Sequence, residues 1–151
     1  MQPLFRSLAL RRSFQSTGRR WMSHQFPALN IEQCVGLDIG GSLAKFVVLD
    51  AHSIMPSQKG LLRATVDRMK QLPRYRSDLT MSTPLGPMHF IPFETSSMNY
   101  FVDELRDVKF GEACRQMSTT GGGAYKYAEM VNKELRINLV PHDEVNSLVR
   151  G

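Results

Sequence analysis

At 151 residues the chain is long enough for one domain with a hydrophobic core, and its hydrophobic content of 42% is that of a globular protein. The formal net charge is +5, but residues 1–31 hold five arginines and no acidic residue, and the remaining 14 basic and 14 acidic residues cancel. The net positive charge is therefore no evidence of a nucleic-acid-binding surface. No stretch approaches the roughly 20 apolar residues of a membrane span.

The N-terminal segment, residues 1–31, is rich in Arg and Ser and has apolar residues among its arginines. This composition is typical of a mitochondrial transit peptide, and residues 20–23 are a candidate processing site. The alternative is a tail without a targeting role, which would leave the protein in the cytoplasm. A secretory signal fits less well, because the segment has no continuous apolar core. We predict a mitochondrial leader over 1–31 and a folded domain over 32–151.

The first motif that carries chemistry lies in residues 34–49, where one apolar strand leads through Gly40 and Gly41 into a second. Two such strands separated by Gly-Gly predict a β-hairpin. The two glycines have no side chains, so the backbone N–H groups of the turn can approach an anion closely. The sequence has neither a Walker-type G-x-x-x-x-G-K-[ST] loop nor a G-x-G-x-x-G fingerprint.

Polar residues flank this turn. Asp38 is placed to hold a divalent cation, directly or through its waters, and Ser42 and Lys45 can add a hydrogen bond and a positive charge to a phosphate. The alternative is an ordinary hairpin in which Asp38 caps the turn.

Beyond the hairpin, the apolar spacing predicts alternating helices and strands. In chain order we expect a polar connection over 51–59, a helix over 60–72, an exposed loop over 73–87 and a strand over 88–93. A helix from Thr95 or Ser96 to Asp107, a strand over 114–119, a helix after residues 121–123, a strand over 137–140 and a helix from Pro141 follow. Pro92 places the 88–93 strand at an edge or strand end. This order is α/β.

The two cysteines, Cys34 and Cys114, fall in predicted buried strands and have no metal-ligand neighbour at useful spacing. We predict that both are small core residues.

A second motif follows the 114–119 strand, where residues 121–123 are all glycine. Glycines between a strand and a helix expose the helix N-terminus, which favours an anion, and Lys126 in the first turn would reinforce this. The alternative is that the glycines allow the strand and helix to pack closely.

A third motif contains Asp143 and Glu144 at a strand-to-helix junction. A carboxylate there can accept the proton of a substrate hydroxyl as it attacks a γ-phosphate. The alternative is that both acids simply stabilise the first helical turn.

Together the motifs resemble the eukaryotic-type (type II) pantothenate kinases. That family has D-I-G-G-T-L-x-K, L-H-F-I-x-F, A-T-G-G-G-A-[YF]-K-F and L-D-E-L-D-C-L-x-x-G in this order. This chain has D-I-G-G-S-L-A-K at 38–45, M-H-F-I-P-F at 88–93, T-T-G-G-G-A-Y-K-Y at 119–127 and D-E-V-N-S-L-V-R-G at 143–151. The departures are Ser42 for Thr, Pro92 for a basic residue, and Val145-Asn146 for Leu-Asp.

The resemblance implies one lobe of an actin-like, hexokinase or Hsp70-type ATPase fold, with a mixed β-sheet and flanking helices. It further implies ATP-dependent phosphorylation of pantothenate in coenzyme A synthesis. Asp38, Gly40, Gly41, Ser42 and Lys45 would belong to the first phosphate loop, with Asp38 holding Mg through water. Glu144 would be the catalytic base.

The family also implies a homodimer, regulation by acyl-coenzyme A and a second lobe, which we expect to be absent from these 151 residues. Two other functions remain open from the sequence. One is a short non-catalytic isoform or decayed copy that acts, if at all, by binding a partner. The other is a sugar kinase of the same superfamily, which lacks support because no His/Cys zinc cluster is present.

Overall fold

The computed structural model of the protein describes residues 26–72 and 79–142. Its strands are Val35–Ile39 (β1), Leu43–Leu49 (β2), Thr80–Thr83 (β3), Gly86–Glu94 (β4), Gln116–Thr120 (β5) and Asn138–Pro141 (β6). Its α-helices are Pro56–Met69 (α1), Met98–Asp107 (α2), Phe110–Ala113 (α3) and Gly123–Leu135 (α4). Short 3-10 helices span Ile31–Gln33 and Thr95–Ser97. Within this part of the chain, no helix has the length and apolar character needed to cross a membrane.

The six strands form one mixed sheet in the order β3-β4-β2-β1-β5-β6. The β1–β2, β2–β4 and β3–β4 pairs are antiparallel, whereas β1–β5 and β5–β6 are parallel. The parallel β5–β6 pair requires a crossover, which α4 provides. The predicted α/β class with a mixed sheet and flanking helices is confirmed.

Aromatic side chains join the sheet to α2 and α3. The buried Phe46 ring of β2 makes T-shaped contacts with the rings of Phe101 and Phe110, whose centroids lie 5.2 and 6.3 Å from its own. Phe93 of β4 stacks on Phe101 at 4.8 Å. The apolar face predicted for α2 is buried as expected: Met98, Phe101, Val102 and Leu105.

Two arginines join the helices at the surface. Arg68 of α1 contacts Glu104 and Asp107 of α2 at 2.6 and 2.9 Å, and Arg106 of α2 contacts Glu134 of α4 at 2.6 Å. These side chains are partly exposed, so we attribute most of the packing energy to the apolar contacts beneath them.

Helix α1 begins at Pro56, so the polar connection predicted over 51–59 is wrong over its last four residues. Pro56 occupies the first helical turn, where its fixed φ suits the helix and its missing N–H costs nothing. The apolar pattern did not reveal this turn because its side chains are polar. One of them, Gln58, accepts a hydrogen bond from the Ile31 N–H at 2.8 Å.

The exposed loop predicted over 73–87 is wrong from residue 80 onward, where β3 and the start of β4 form a hairpin. Thr83 closes it, donating to the Gly86 carbonyl at 2.7 Å and accepting from the Leu85 N–H at 3.2 Å. The pattern was missed because the β3 side chains are mostly exposed and show no alternation. Pro92 lies near the end of β4, as predicted, and beyond the part of β4 that pairs with β3 among the described residues.

Both cysteines are buried, as predicted, but neither lies in a strand. Cys34 follows the Ile31–Gln33 helix and Cys114 follows α3, each at a helix end that directs the chain into the sheet. Burial raises the pKa of the Cys34 thiol, with a smaller contribution from Asp50. Burial raises the pKa of Cys114 to about 12, and the charge of Glu32 adds to this.

The N-terminal and C-terminal boundaries also differ from the sequence pattern. Ile31, assigned above to the leader, is fully buried in the core, and the Asn30 side chain caps the first 3-10 helix. Leu29 pairs with Ile54 in an isolated bridge. At the other end Pro141, where the sequence predicts the start of a helix, is instead the last residue of β6, and the part of that predicted helix over 143–151 lies outside the described residues.

Candidate functional site

The turn between β1 and β2 is closed by one backbone hydrogen bond, from the Gly40 N–H to the Leu43 carbonyl at 2.9 Å. Neither Gly40 nor Gly41 has the left-handed φ that usually selects glycine. Gly40 is required by space instead, because a Cβ there would lie 2.8 Å from the Leu43 carbonyl oxygen. The corresponding position on Gly41 faces open space.

Two N–H groups of this turn are free to meet a ligand. Gly41 and Ser42 are exposed, and within residues 26–72 and 79–142 neither N–H donates to a backbone carbonyl. Adjacent unpaired backbone N–H groups on a bare turn form a concave site for an anion. The hairpin predicted from residues 34–49 is confirmed, and its turn presents two adjacent N–H groups to solvent.

Asp38 and Lys45 face each other across the hairpin. They are partners in the β1–β2 register, and the Lys45 Nζ lies 3.3 Å from the Asp38 Oδ2. The other carboxylate oxygen, Oδ1, accepts a hydrogen bond from the Thr120 hydroxyl at 3.0 Å. Both side chains remain partly exposed, at 47% for Lys45 and 39% for Asp38. A ligand at the turn would therefore meet a cation and an oriented carboxylate.

The glycines at 121–123 join β5 to α4 directly beside β1. Gly121 has a φ of 87°, and a Cβ there would collide with the Ile39 carbonyl. A Cβ on Gly123 would collide with the Ile39 side chain, whereas Gly122 faces open space. Close packing thus accounts for Gly121 and Gly123. It brings the N-terminus of α4 against Ile39, which immediately precedes Gly40.

The Lys126 side chain, which the sequence suggested as a further positive charge at this turn, contacts an aromatic ring of α4. Its Nζ lies over the ring of its neighbour Tyr127, 5.1 Å from the centroid. The contact is a cation–π interaction on the surface of α4.

Thr95 is a residue of this site that the sequence analysis placed only as a helix cap. Its side chain makes no capping hydrogen bond. Its hydroxyl instead donates to the Gly40 carbonyl at 2.9 Å, and its N–H donates to the Ser42 carbonyl at 3.0 Å. The Tyr127 hydroxyl donates to the Thr95 carbonyl at 3.3 Å. No sequence signal links residues so far apart, because the contacts depend on the sheet order.

The strand end next to the turn also anchors the chain beyond β6. The His142 N–H donates to the Thr119 carbonyl at 2.7 Å, and the His142 Nε2 lies 3.3 Å from the Ser118 hydroxyl. The Thr119 hydroxyl is buried and has no partner among the described residues. Asp143 and the predicted base Glu144 follow His142 directly, but both lie outside the described part of the chain.

The residues present fit a hydrated Mg²⁺ that is shared with phosphate. No group of three or more His, Cys, Asp or Glu side chains lies close enough to hold a metal within the described ranges. Mg²⁺ commonly keeps several waters and binds through one or two carboxylates together with substrate phosphates. The partly exposed Asp38 carboxylate, oriented by Thr120, can fill that role.

Comparison with known proteins agrees with this geometry. The profile of the Fumble family matches residues 34–151, which begin at the first strand of the site. The chain belongs to the Fumble family. A rice protein named pantothenate kinase 2 is 30% identical over 131 residues, covering 78% of this chain and 14% of that protein. A fission yeast protein named pantothenate kinase is 28% identical over 123 residues, covering 78% of this chain and 27% of that protein.

The Fumble family match confirms the resemblance to pantothenate kinases and the actin-like ATPase fold inferred from the motifs. A mouse protein named 4'-phosphopantetheine phosphatase is also similar, at 28% identity over 120 residues, covering 76% of this chain and 14% of that protein. The chain therefore spans between about one seventh and about one quarter of the length of these relatives.

Proposed function

We propose that this chain contributes the first phosphate-binding element of an ATP-dependent pantothenate kinase. The reaction transfers the γ-phosphoryl group of ATP to the pantothenate hydroxyl and yields 4'-phosphopantothenate, an intermediate of coenzyme A synthesis. One observation carries the proposal: the exposed N–H groups of Gly41 and Ser42 lie on a turn flanked by the Asp38–Lys45 pair. The relatives named pantothenate kinase support the choice of acceptor.

The proposed roles follow from charge and hydrogen-bonding capacity. The Gly41 and Ser42 N–H groups and the Ser42 hydroxyl would donate to phosphate oxygens, and the Lys45 ammonium would stabilise the negative charge. Asp38 would hold the waters of Mg²⁺, which neutralises phosphate charge when it is bound. Thr120 would keep the Asp38 carboxylate in one orientation, since its hydroxyl donates to Oδ1 at 3.0 Å.

Proton transfer is proposed for Glu144. The resemblance to pantothenate kinases supports Glu144 as the base that would accept the proton of the attacking hydroxyl. His142, two positions earlier, is anchored to Thr119 at the strand end that also carries Thr120. This anchor supports the assignment, because it brings the chain to the C-terminal ends of β1 and β5, where the phosphate turn (residues 40–43) lies.

Three features of the whole protein are also proposals. We propose a homodimer, regulation by acyl-coenzyme A thioesters, and import into mitochondria directed by the arginine-rich N-terminal segment. Leu29, Asn30 and Ile31 take part in the folded domain, so the targeting information would lie before residue 29. The folded domain would then be kept intact if the leader were removed at residues 20–23.

Titration of the ¹⁵N-labelled chain with MgATP tests the phosphate site. We expect the amide signals of Gly41 and Ser42 to move, while that of Gly60 on α1 stays in place. Lys45→Ala should weaken the effect, and Lys133→Ala, an exposed lysine in the last turn of α4, is the matched control. Unchanged Gly41 and Ser42 signals in the unsubstituted chain would contradict the proposal.

The acceptor is tested separately in the longest native protein that carries this sequence. Labelled pantothenate and MgATP should yield labelled 4'-phosphopantothenate. Preference for another alcohol over pantothenate would contradict the substrate assignment, even if the amide titration succeeds.

A further inference from the structure

We propose that Thr95 is a positioning residue that sets the direction of the N–H groups in the phosphate turn, and that Tyr127 connects this device to α4. The inference rests on the proposed function of the turn and goes further, because it names what gives the turn its binding shape. Neither residue carries a charge, and neither was predicted to take part in binding.

Thr95 holds the turn at two points. Its hydroxyl donates to the Gly40 carbonyl at 2.9 Å, and its N–H donates to the Ser42 carbonyl at 3.0 Å. Thr95 is 5% exposed and begins the 3-10 helix after β4, so the packed end of the sheet supports it. Burial excludes competing water and makes both bonds costly to break.

Peptide geometry converts these bonds into a direction for the free N–H groups. The Gly40 carbonyl and the Gly41 N–H belong to one trans peptide plane, so they point in opposite directions. When Thr95 draws the Gly40 carbonyl toward the core, the Gly41 N–H is turned away from Thr95 and toward solvent. Gly41 is exposed and has no side chain, so a phosphate oxygen can reach its N–H.

Without this restraint the turn has few other means of holding its shape. Among the described residues, the other backbone hydrogen bond that closes it is the one from the Gly40 N–H to the Leu43 carbonyl. Glycine peptides rotate easily, and an N–H group that points at a ligand before binding avoids the entropic cost of ordering. Thr95 thus preorganises the turn.

Tyr127 connects Thr95 to the helix that follows the second glycine-rich motif. It lies on α4, and its hydroxyl donates to the Thr95 carbonyl at 3.3 Å. At its N-terminus, shortly before Tyr127, α4 begins against Ile39, where Gly121 and Gly123 allow close approach. The phosphate turn and the N-terminal part of α4 are therefore held together both by Ile39 packing and by the Thr95–Tyr127 bond.

The test compares Thr95→Val, which keeps the shape and removes the hydroxyl, with Thr95→Ser, which keeps the hydroxyl. Thr65→Val is the matched control, because the Thr65 hydroxyl is also buried and donates to a backbone carbonyl, that of Leu61 at 2.8 Å on α1. Two readouts are taken from the full chain: hydrogen exchange of the Gly40 N–H without ligand, and the MgATP dissociation constant from the Gly41 and Ser42 amide signals.

We expect Thr95→Val to accelerate Gly40 exchange and to weaken MgATP binding, each by about tenfold, as for the loss of one hydrogen bond of ~1.4 kcal/mol. Thr95→Ser should stay within about twofold of the unsubstituted chain, and so should Thr65→Val, although it is destabilised. Unchanged exchange in Thr95→Val, or equal acceleration in Thr65→Val, would overturn the inference.

Tyr127→Phe is the second variant and keeps the test decisive if Thr95→Val does not fold. It removes only the outer hydroxyl, so we expect a smaller acceleration of exchange at the Thr95 and Gly40 N–H groups. No acceleration would overturn the connection to α4. If the unsubstituted chain fails to bind MgATP, the proposed function is wrong, whereas the exchange readout still decides whether Thr95 holds the turn.

Discussion

Asp38 and Thr120 are 82 positions apart in the chain, yet the Thr120 hydroxyl donates to the Asp38 carboxylate at 3.0 Å. They meet because β1 and β5 are parallel neighbours, with Asp38 and Thr120 as partners in the register. The carboxylate is thereby held from one side by a hydroxyl and from the other by the Lys45 ammonium at 3.3 Å.

Replacing Asp38 or either of its two partners is expected to weaken MgATP binding, by an amount that depends on the group removed. Asp38→Asn and Lys45→Ala should each weaken it by about tenfold or more, since each removes a charge proposed to meet phosphate or Mg²⁺. Thr120→Val should have a smaller effect, because the carboxylate is kept but loses one donor. Isothermal titration with MgATP measures all three, with Thr120→Ser as the control that retains the hydroxyl. Equal affinity in Lys45→Ala and the unsubstituted chain would contradict the assignment.

Alanine substitutions in the two glycine-rich turns are expected to have different effects, one on MgATP binding and the other on the free energy of unfolding. Gly41→Ala should leave the free energy of unfolding nearly unchanged, because its Cβ would face open space, but it should weaken MgATP binding by crowding the turn. Gly121→Ala should cost roughly 1–3 kcal/mol, since Gly121 has a φ of 87° and lies against the Ile39 carbonyl. Gly122→Ala is its control.

Urea unfolding measures the stability of these glycine variants, and MgATP titration measures binding. The same loss of stability in Gly121→Ala and Gly122→Ala would show that the approach to Ile39 is not what requires glycine there.

Glu144→Gln is expected to abolish formation of 4'-phosphopantothenate while MgATP binding stays nearly intact. As the proposed base, Glu144 would act on the attacking hydroxyl and would not contact the nucleotide. The measurement combines a single-turnover assay with nucleotide titration in the longest native protein that carries this sequence, and Asp143→Asn is the matched neighbour. Normal turnover in Glu144→Gln would mean that another group accepts the proton.

The buried thiol of Cys114 is expected to reduce stability at alkaline pH. Its pKa is raised from 9.0 to about 12 in the folded state, so the folded protein keeps the proton that the unfolded chain releases. The stability that this thiol contributes is fully present below pH 9.0 and is lost as the pH rises toward about 12.

Urea unfolding between pH 8 and 11 checks this sign. The decline in the free energy of unfolding should be shallower in Cys114→Ala than in the unsubstituted chain. Rapid reaction of native Cys114 with a thiol reagent at pH 8 would contradict the raised pKa, because thiolate is the reactive form.

Residues 1–28 fused to a fluorescent reporter are expected to carry it to mitochondria. The segment combines arginine, serine and apolar residues without acids, and the folded domain includes residues 29–31. Replacing its five arginines with glutamine should release the reporter to the cytosol. A cytosolic reporter before the replacement would refute mitochondrial targeting.

Local sequence patterns predicted those helices and strands in which buried side chains recur at regular spacing. The hairpin around Gly40 and Gly41 and the apolar face of α2 follow from such repeats, and both are confirmed. The pattern failed for the first turn of α1 and for β3, because their side chains are polar or exposed and leave no periodic signal.

Tertiary structure alone decided how the turn is held. Thr95 precedes α2 and has the pattern of a cap, yet its hydroxyl bonds to Gly40, 55 positions away. Thr120 reaches Asp38 only because the sheet order places β5 beside β1. Composition and spacing predict which side chains of a segment are buried and which are exposed. A hydrogen bond between distant residues depends instead on which strands become neighbours in the sheet. The sequence therefore predicted the glycines and polar residues of the proposed phosphate site. Their orientation was determined by the packing of β1 between β2 and β5.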